Sequence, residues 1–433
     1  MSISIDNGDD DNNDKLDAAV PLFVSRAVAE VDEDDDDIDV LFLLLLTWSL
    51  KKKIDASTTV LKDILKEQIR VDARLNRQRP QAKERVSWHD FNQRITDDHF
   101  RRMFRMDRDT FDSLCQHIID KIGANKFRSE GYLSEGGMSE AKTYAAQQHT
   151  GGYIAGEIKV AVFIRLLSGG SYLDLIPLFG VVKSHMHKVF DQVIKWIRCT
   201  FEFPLVSILR NQQWQMLHEL AQSFGEKSGG PFCGTFGSLD GLAIRIASPS
   251  LREVTDPGNC YCRKGFCALN VQAICDKHKR FLWCHPTNKG SSHDSSAFGG
   301  TRLIELSKEH AELLSDQGLH LVGDSAHPLH SFLQVPCDQQ EVEQDPVGAN
   351  DAYNCFLSGN RIWIECAFGE LVMRWGVFWR TLRFDSILKS GNVILAAMLL
   401  HNFIVENRLA KKNTDDEIYF RNFTTEQNTA AQL

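Results

Sequence analysis

One run, Gly237-Ser238-Leu239-Asp240-Gly241-Leu242-Ala243-Ile244-Arg245-Ile246, constrains this chain more than any other stretch. It reads as a short buried strand holding a single carboxylate, Asp240, among apolar neighbours. A carboxylate in that setting costs free energy unless hydrogen bonds or a cation satisfy it. Two later acids stand in comparable settings. Asp324 closes the strand-like run Leu319-His320-Leu321-Val322-Gly323-Asp324, and Glu365 falls on a helix that reads as starting near Gly359. The working expectation is that the three converge on divalent metal.

The surrounding pattern is α/β. Phe266 to Cys275 reads as a strand, Asp276 to Lys279 as a turn, and Arg280 to His285 as its hairpin partner. Ser291-Ser292-His293-Asp294-Ser295 then leads into a helix from about 296 to 314, and a polar loop fills 338–354. A mixed sheet flanked by helices follows, and open sheets of this kind place ligands at the carboxyl ends of strands.

Upstream the signals are helical. Phe100, Met103 and Phe104, then Phe111, Leu114, Cys115 and Ile118, recur at helical spacing, with Asp107 or Asp109 as the cap of the second helix. A glycine-rich connection covers 123–156. Ile158 to Leu167, Tyr172 to Phe179 and Ser184 to Arg198 then read as three helices punctuated by Gly169-Gly170 and Gly180. That is a helix-turn-helix pattern, and its last helix opens on Lys183, His185, His187 and Lys188, which are candidates for DNA contact. The competing reading is a plain three-helix core, since Val189, Phe190, Val193 and Trp196 are packing residues.

Charge is divided unevenly. Residues 1–40 hold fourteen Asp and Glu against two Lys and Arg, so a whole-chain charge of −9 leaves the remainder near +3. The acidic excess belongs to a tail and does not exclude an anionic partner for the body. The expected organisation is a disordered acidic tail at 1–39 and a helical region at 40–156 whose basic residues include Arg70, Arg74, Arg77, Arg79, Lys83 and Arg85. A helix-turn-helix-like segment at 157–200, an α/β catalytic domain at 234–405 and a flexible tail at 406–433 complete it. Eleven cysteines without framework spacing or a secretory signal indicate reduced thiols. Cys260, Cys262, Cys267 and Cys275 fit no ordinary zinc knuckle and read as buried thiols. The apolar run Val40 to Leu50 is half the length a bilayer span needs, so no membrane partner is expected.

The chemistry the acids suggest is phosphodiester cleavage, because hard ions such as Mg²⁺ or Mn²⁺ take carboxylate oxygens and activate water. Arg361, four residues before Glu365, is placed to orient that carboxylate or to touch phosphate. Each acid also has a plainer role: Asp240 in an Asp-Gly turn, Asp324 capping the turn at Ser325, Glu365 paired with Arg361. Asp294 reads first as a helix N-cap and second as a supporting metal ligand.

Taken in order, these motifs resemble the PIF/Harbinger-type transposases and their domesticated relatives, whose nuclease is a DDE domain of RNase H-like fold. The carriers are Leu239-Asp240-Gly241, Arg263-Lys264-Gly265-Phe266, Asn270-Val271-Gln272-Ala273, Ser292-His293-Asp294-Ser295, Gly323-Asp324-Ser325 and Arg361-x3-Glu365-x2-Phe368-Gly369. Phe104-Arg105-Met106 with Thr110-Phe111, Leu166-x2-Gly169-Gly170-Ser171-Tyr172 and Leu400-His401-Asn402-Phe403-Ile404 extend the likeness over roughly 85–405. By motif, Asp240, Asp324 and Glu365 are the three acids, the last two 41 residues apart. The resemblance implies cutting and joining of double-stranded DNA at transposon ends, a nuclear location with a cytoplasmic pool, a Myb-like partner protein and a homo-oligomer. His327 stands where the family usually has Tyr. Val372 stands where a Lys is common, with Arg374 nearby as a phosphate contact. The alternatives are a domesticated DNA-binding or adaptor protein without transposition, and a metal hydrolase of small phosphates.

Overall fold

The computed structural model of the chain describes residues 86–124, 127, 154–228 and 233–411, which fall in one compact unit. The acidic tail, the basic clusters up to residue 85, most of the glycine-rich connection and the end of the chain from 412 lie outside the described residues.

Five strands make one mixed sheet: β1 (Thr235–Arg245), β2 (Ala268–Cys275), β3 (Phe281–Lys289), β4 (His320–Val322) and β5 (Leu333–Gln334). Their order is β3-β2-β1-β4-β5. β1, β2 and β3 are antiparallel neighbours, whereas β4 runs parallel to β1 and β5 parallel to β4. The β2–β3 hairpin turns at Asp276, whose buried carboxylate accepts from the Arg280 backbone N–H at 2.8 Å and from Arg280 Nε at 2.7 Å. The turn that sequence composition marks out is thus locked by its own first residue.

Before the sheet come α1 (Trp88–Arg94), α2 (Asp97–Phe104), α3 (Arg108–Ile122), α4 (Gly156–Leu167), α5 (Tyr172–Phe179), α6 (Lys183–Thr200), α7 (Leu205–Arg210) and α8 (Trp214–Ser228). Asp107 caps α3 through the Thr110 N–H at 2.7 Å. A capping box at Ser171 and Asp174 starts α5, which stops at Gly180 in left-handed backbone. Phe91, Phe100, Phe104 and Phe111 cluster with the buried length of α4 and the inner face of α6, and this core runs on into Leu269, Val271 and Ala273 of β2. The helices join this core chiefly through α3 and α6, which meet the last helix of the chain, Ile387–Lys411, and that helix packs on β3.

The opposite face of the sheet, with Phe236, Leu239, Ile274 and Leu282, packs under α7 and α8 and under α9 (Asp294–Gly299), α10 (Arg302–Glu309) and α11 (Ala311–Asp316). The single helix expected over 296–314 is broken at Gly300-Thr301 and at His310 into these three short pieces. After β5 follow α12 (Gln339–Glu343), α13 (Ala349–Arg374) and α14 (Ile387–Lys411). α13 starts ten residues before the expected Gly359, because its first turns are exposed and polar and carry no apolar stripe. α14 is apolar and long enough to cross a bilayer, but 67% of that window is buried inside the fold. It also runs on past residue 405, where a flexible tail was expected, and Lys411 Nζ reaches Asp107 at 3.0 Å and Asp109 at 3.1 Å.

Candidate active site

Register places the first two acids. β4 pairs with β1 in parallel through Ser238 and Val322, so two residues further along both chains Asp240 and Asp324 stand side by side. Asp240 lies on β1 just where β4 has ended. Asp324 follows the carboxyl end of β4, the position at which open sheets collect ligands. Both line a cavity of about 340 Å³ with Asn270, Asp294, Arg263, Lys264 and Arg361. A larger cavity of about 530 Å³, between Phe201, Glu219, Arg280 and Glu406, contains none of the three acids.

The third acid arrives on α13. Ser238 Oγ donates to the Asn360 carbonyl at 2.7 Å and fastens this helix across β1. The next residue, Arg361, then reaches Asp240 Oδ2 at 3.6 Å and Glu365 Oε1 at 2.8 Å. One guanidinium thus links the first and third acids. Glu365 remains 49% exposed and does not line the cavity. Among the described residues no group of three or more His, Cys, Asp or Glu is arranged to hold a metal ion.

Electrostatics separates the two aspartates. Burial pushes the Asp240 carboxyl above the usual range; the Gly241 N–H opposes it, the neighbouring charge of Asp324 adds to it, Arg361 opposes it and Asp294 adds to it. His327 holds the Asp324 carboxyl below the usual range, against the rise that burial causes. Asp240 Oδ1 accepts from its own neighbour's Gly241 N–H at 2.7 Å. Asp324 Oδ1 takes the Ala326 N–H at 3.1 Å and lies 2.7 Å from His327 Nδ1. Each aspartate has one oxygen hydrogen-bonded to the protein, and the other oxygen of Asp240 faces Arg361. Clustered carboxylates that raise one another's proton affinity are relieved by a cation, and an all-oxygen donor set suits a hard divalent ion. The carboxylate chemistry suits Mg²⁺ or Mn²⁺, although the described side chains are not gathered into a ligand group.

Asp294 does not cap its helix. The cap position of α9 is His293, with no side-chain cap bond, and Asp294 Oδ1 instead accepts from Asn270 Nδ2 at 2.8 Å and Gln272 Nε2 at 2.7 Å. Arg374, expected near phosphate, is 1% exposed, and its Nη1 donates to the Arg105 carbonyl at 3.4 Å. Deep burial removes it from any DNA-facing surface. Lys183, His185, His187 and Lys188 are exposed at the start of α6, away from its packed face, with Lys183 Nζ 4.5 Å from the centre of the Tyr172 ring. Cys275 is fully buried, and that burial pushes its thiol up, as expected of a core residue.

Site reasoning from sequence missed the buried amides Asn270 and Gln272, and it noted His327 only as a departure from the family pattern. The available signal was local: two amides at i and i+2 point to one face of a strand otherwise made of Ala, Leu, Val, Ile and Cys.

A mixed α/β sheet with acids at the carboxyl end of a parallel strand pair defines the class of site. The family comparison then narrows it. Residues 239–402 match the protein family described as DDE superfamily endonuclease, and this span contains Asp240, Asp324 and Glu365. No curated protein and no solved structure matches the chain.

Proposed function

We propose that the chain is a divalent-metal-dependent DNA transposase of the PIF/Harbinger type, whose nuclease occupies an RNase H-like domain over 234–405. The observation that carries this reading is the nearness of Asp240, on β1, to Asp324, just past the end of the parallel neighbour β4, inside the span similar to DDE superfamily endonucleases. The strand order, three antiparallel strands followed by two parallel ones, supports it.

Asp240, Asp324 and Glu365 would hold Mg²⁺ or Mn²⁺. The chemistry such an ion supplies when bound is stabilisation of the phosphoryl oxygens and activation of water. Arg361 fixes Glu365 beside Asp240 and offers a cation to the phosphodiester. Arg263 and Lys264 stand exposed at the rim of the same cavity. The exposed opening of α6, with Lys183, His185, His187 and Lys188, would hold the duplex flanking the cut. A nuclear location with a cytoplasmic pool, a Myb-like partner that brings the enzyme to its DNA ends, and a homo-oligomer that pairs two ends complete the proposal.

The test is cleavage of end-labelled duplex DNA in Mn²⁺ by the wild type and by Glu365→Gln, which keeps size and removes charge. Cleavage by the wild type alone is expected. Failure of both with DNA binding intact would favour a domesticated DNA-binding or adaptor protein, or a missing Myb-like partner. Equal cleavage would remove Glu365 from the site.

A further inference from the structure

We propose that Asp294 is the anchor of a buried amide relay that positions the carboxylate of Asp324, rather than a ligand of the ion itself. The significance of that positioning rests on the nuclease reading above; the relay itself does not.

The orientation of every member follows from two groups that can only accept hydrogen bonds. The Ser292 carbonyl lies 3.1 Å from Asn270 Nδ2, and Asp294 Oδ1 lies 2.8 Å from the same atom. Asn270 must therefore turn its NH₂ towards that pair and its oxygen the other way. Gln272 meets that oxygen at 2.8 Å and Asp294 Oδ1 at 2.7 Å, both with Nε2, so both of its amide protons are used. Its own oxygen then faces His327 Nε2 at 3.3 Å, and His327 Nδ1 lies 2.7 Å from Asp324 Oδ1; both neighbours only accept, so the relay is complete when both ring nitrogens carry a proton. Flipping either amide would set nitrogen against nitrogen or oxygen against oxygen. Orientation is passed from a loop carbonyl, through three side chains, to the second acid.

Burial makes the relay selective. Gln272 is fully buried and His327 nearly so, where water cannot replace a lost partner, and Asn270 stands at the edge of the site cavity. Gly241 makes room for it. A methyl group at that position would come within 2.5 Å of both Asp294 Oδ1 and Gln272 Nε2. The glycine beside the first acid thus serves the support of the second. His327 is the link by which the amides reach Asp324. Groups behind a ligating carboxylate commonly change ion affinity by about 10–100-fold when removed.

The conservative substitution separates the two roles of Asp294. Asp294→Asn retains an oxygen able to accept both amides but loses the charge an ion needs. Mn²⁺ binding to the full chain, measured by calorimetry, should weaken about tenfold or more in Asp294→Ala. Asp294→Asn should rescue most of that loss, while Asp240→Asn abolishes binding. Loss in Asp294→Asn equal to that in Asp240→Asn would make Asp294 a ligand and overturn the proposal. His327 supplies a second pair: His327→Asn, whose amide nitrogen can take the place of Nδ1, should bind more tightly than His327→Ala. Equal affinities of the two would overturn the relay's hold on Asp324. Hydrogen exchange of the Gln272 side-chain amide, followed by NMR with ¹⁵N-labelled glutamine, needs no ion. Slow exchange in the wild type and Asp294→Asn is expected, and fast exchange in the wild type would end the relay. If the wild type binds no Mn²⁺ while that amide stays protected, it is the nuclease reading that fails.

Discussion

Asp240 and Asp324 stand side by side, yet the fold treats their charges oppositely. Burial and nearby carboxylates raise the proton affinity of Asp240, so as pH falls the native state takes up that proton before the unfolded chain does, and protonation there stabilises. Asp324 is lowered by His327, so the stability it contributes is present above the ordinary Asp value of about 3.9 and is lost as pH falls through its lowered value. Neutral isosteres should therefore move stability in opposite directions. In EDTA at pH 7, Asp240→Asn is expected to raise the melting temperature by about 2–4 °C, and Asp324→Asn to lower it by a similar amount. Both should abolish cleavage. Melts of the two variants that shift in the same direction would contradict this account of the pair. The acids themselves were legible in the sequence, because a charged residue inside an apolar strand run is conspicuous. The support behind them was not. Asn270 and Gln272 are neutral, and only the folded sheet shows Asp294, from the start of α9, and His327, from a loop, arriving at Gln272 from 22 and 55 residues away.

Helix α14 explains the closing motif. Asn402 Oδ1 accepts the Phe281 N–H at 2.7 Å, and its Nδ2 donates to the Phe281 carbonyl at 2.7 Å. These bonds satisfy the start of edge strand β3, whose free backbone would otherwise be open to pairing. Asn402→Ala leaves both backbone groups of Phe281 without this partner and should cost about 2–4 kcal/mol in urea unfolding. A cost within error of zero would show that the clamp is not needed. On α6 the prediction concerns binding. If Lys183 and Lys188 each neutralise one phosphate, the double alanine variant should reduce the slope of log affinity against log salt by about 2. An unchanged slope would take that helix out of the DNA interface. Helices with one apolar stripe, such as α3 and α6, were readable within a residue or two. The early turns of α13 were not, because they pack mainly through Tyr353 and Leu357.

At the scale of the whole molecule, one core joins the helices of residues 88–200 to the sheet that carries the acids. The sequence suggests a boundary between a binding region and a catalytic region, since helical and strand patterns segregate along the chain. What it does not reveal is that the two share apolar surface, because the complementarity of two faces appears only once they are in contact. Leu269, Val271 and Ala273 of β2 share this core with α13, while α14, packed on β3, is the element that α3 and α6 meet. Gly376 extends the attachment, since a methyl group there would meet the Ser168 carbonyl at 2.7 Å. A fragment beginning at residue 234 is therefore expected to expose the apolar side of α14 that α3 and α6 cover, and to bind a hydrophobic dye without a cooperative melt. A sharp melting transition in that fragment would show that α14 needs no such cover.

Arg361 gives the site a resident counter-charge. Its guanidinium already lies between Asp240 and Glu365, so these acids hold a covalently tethered cation before any soluble one arrives. On the metal-dependent reading proposed above, loading the site would be an ion exchange rather than a simple capture. The arriving ion competes with a tethered one whose local concentration never falls. A phosphate that draws the guanidinium towards itself frees carboxylate oxygen in the same movement. Substrate and metal would thus promote each other's entry through a single side chain, and the acids would stay neutralised until DNA is present to take the arginine's charge.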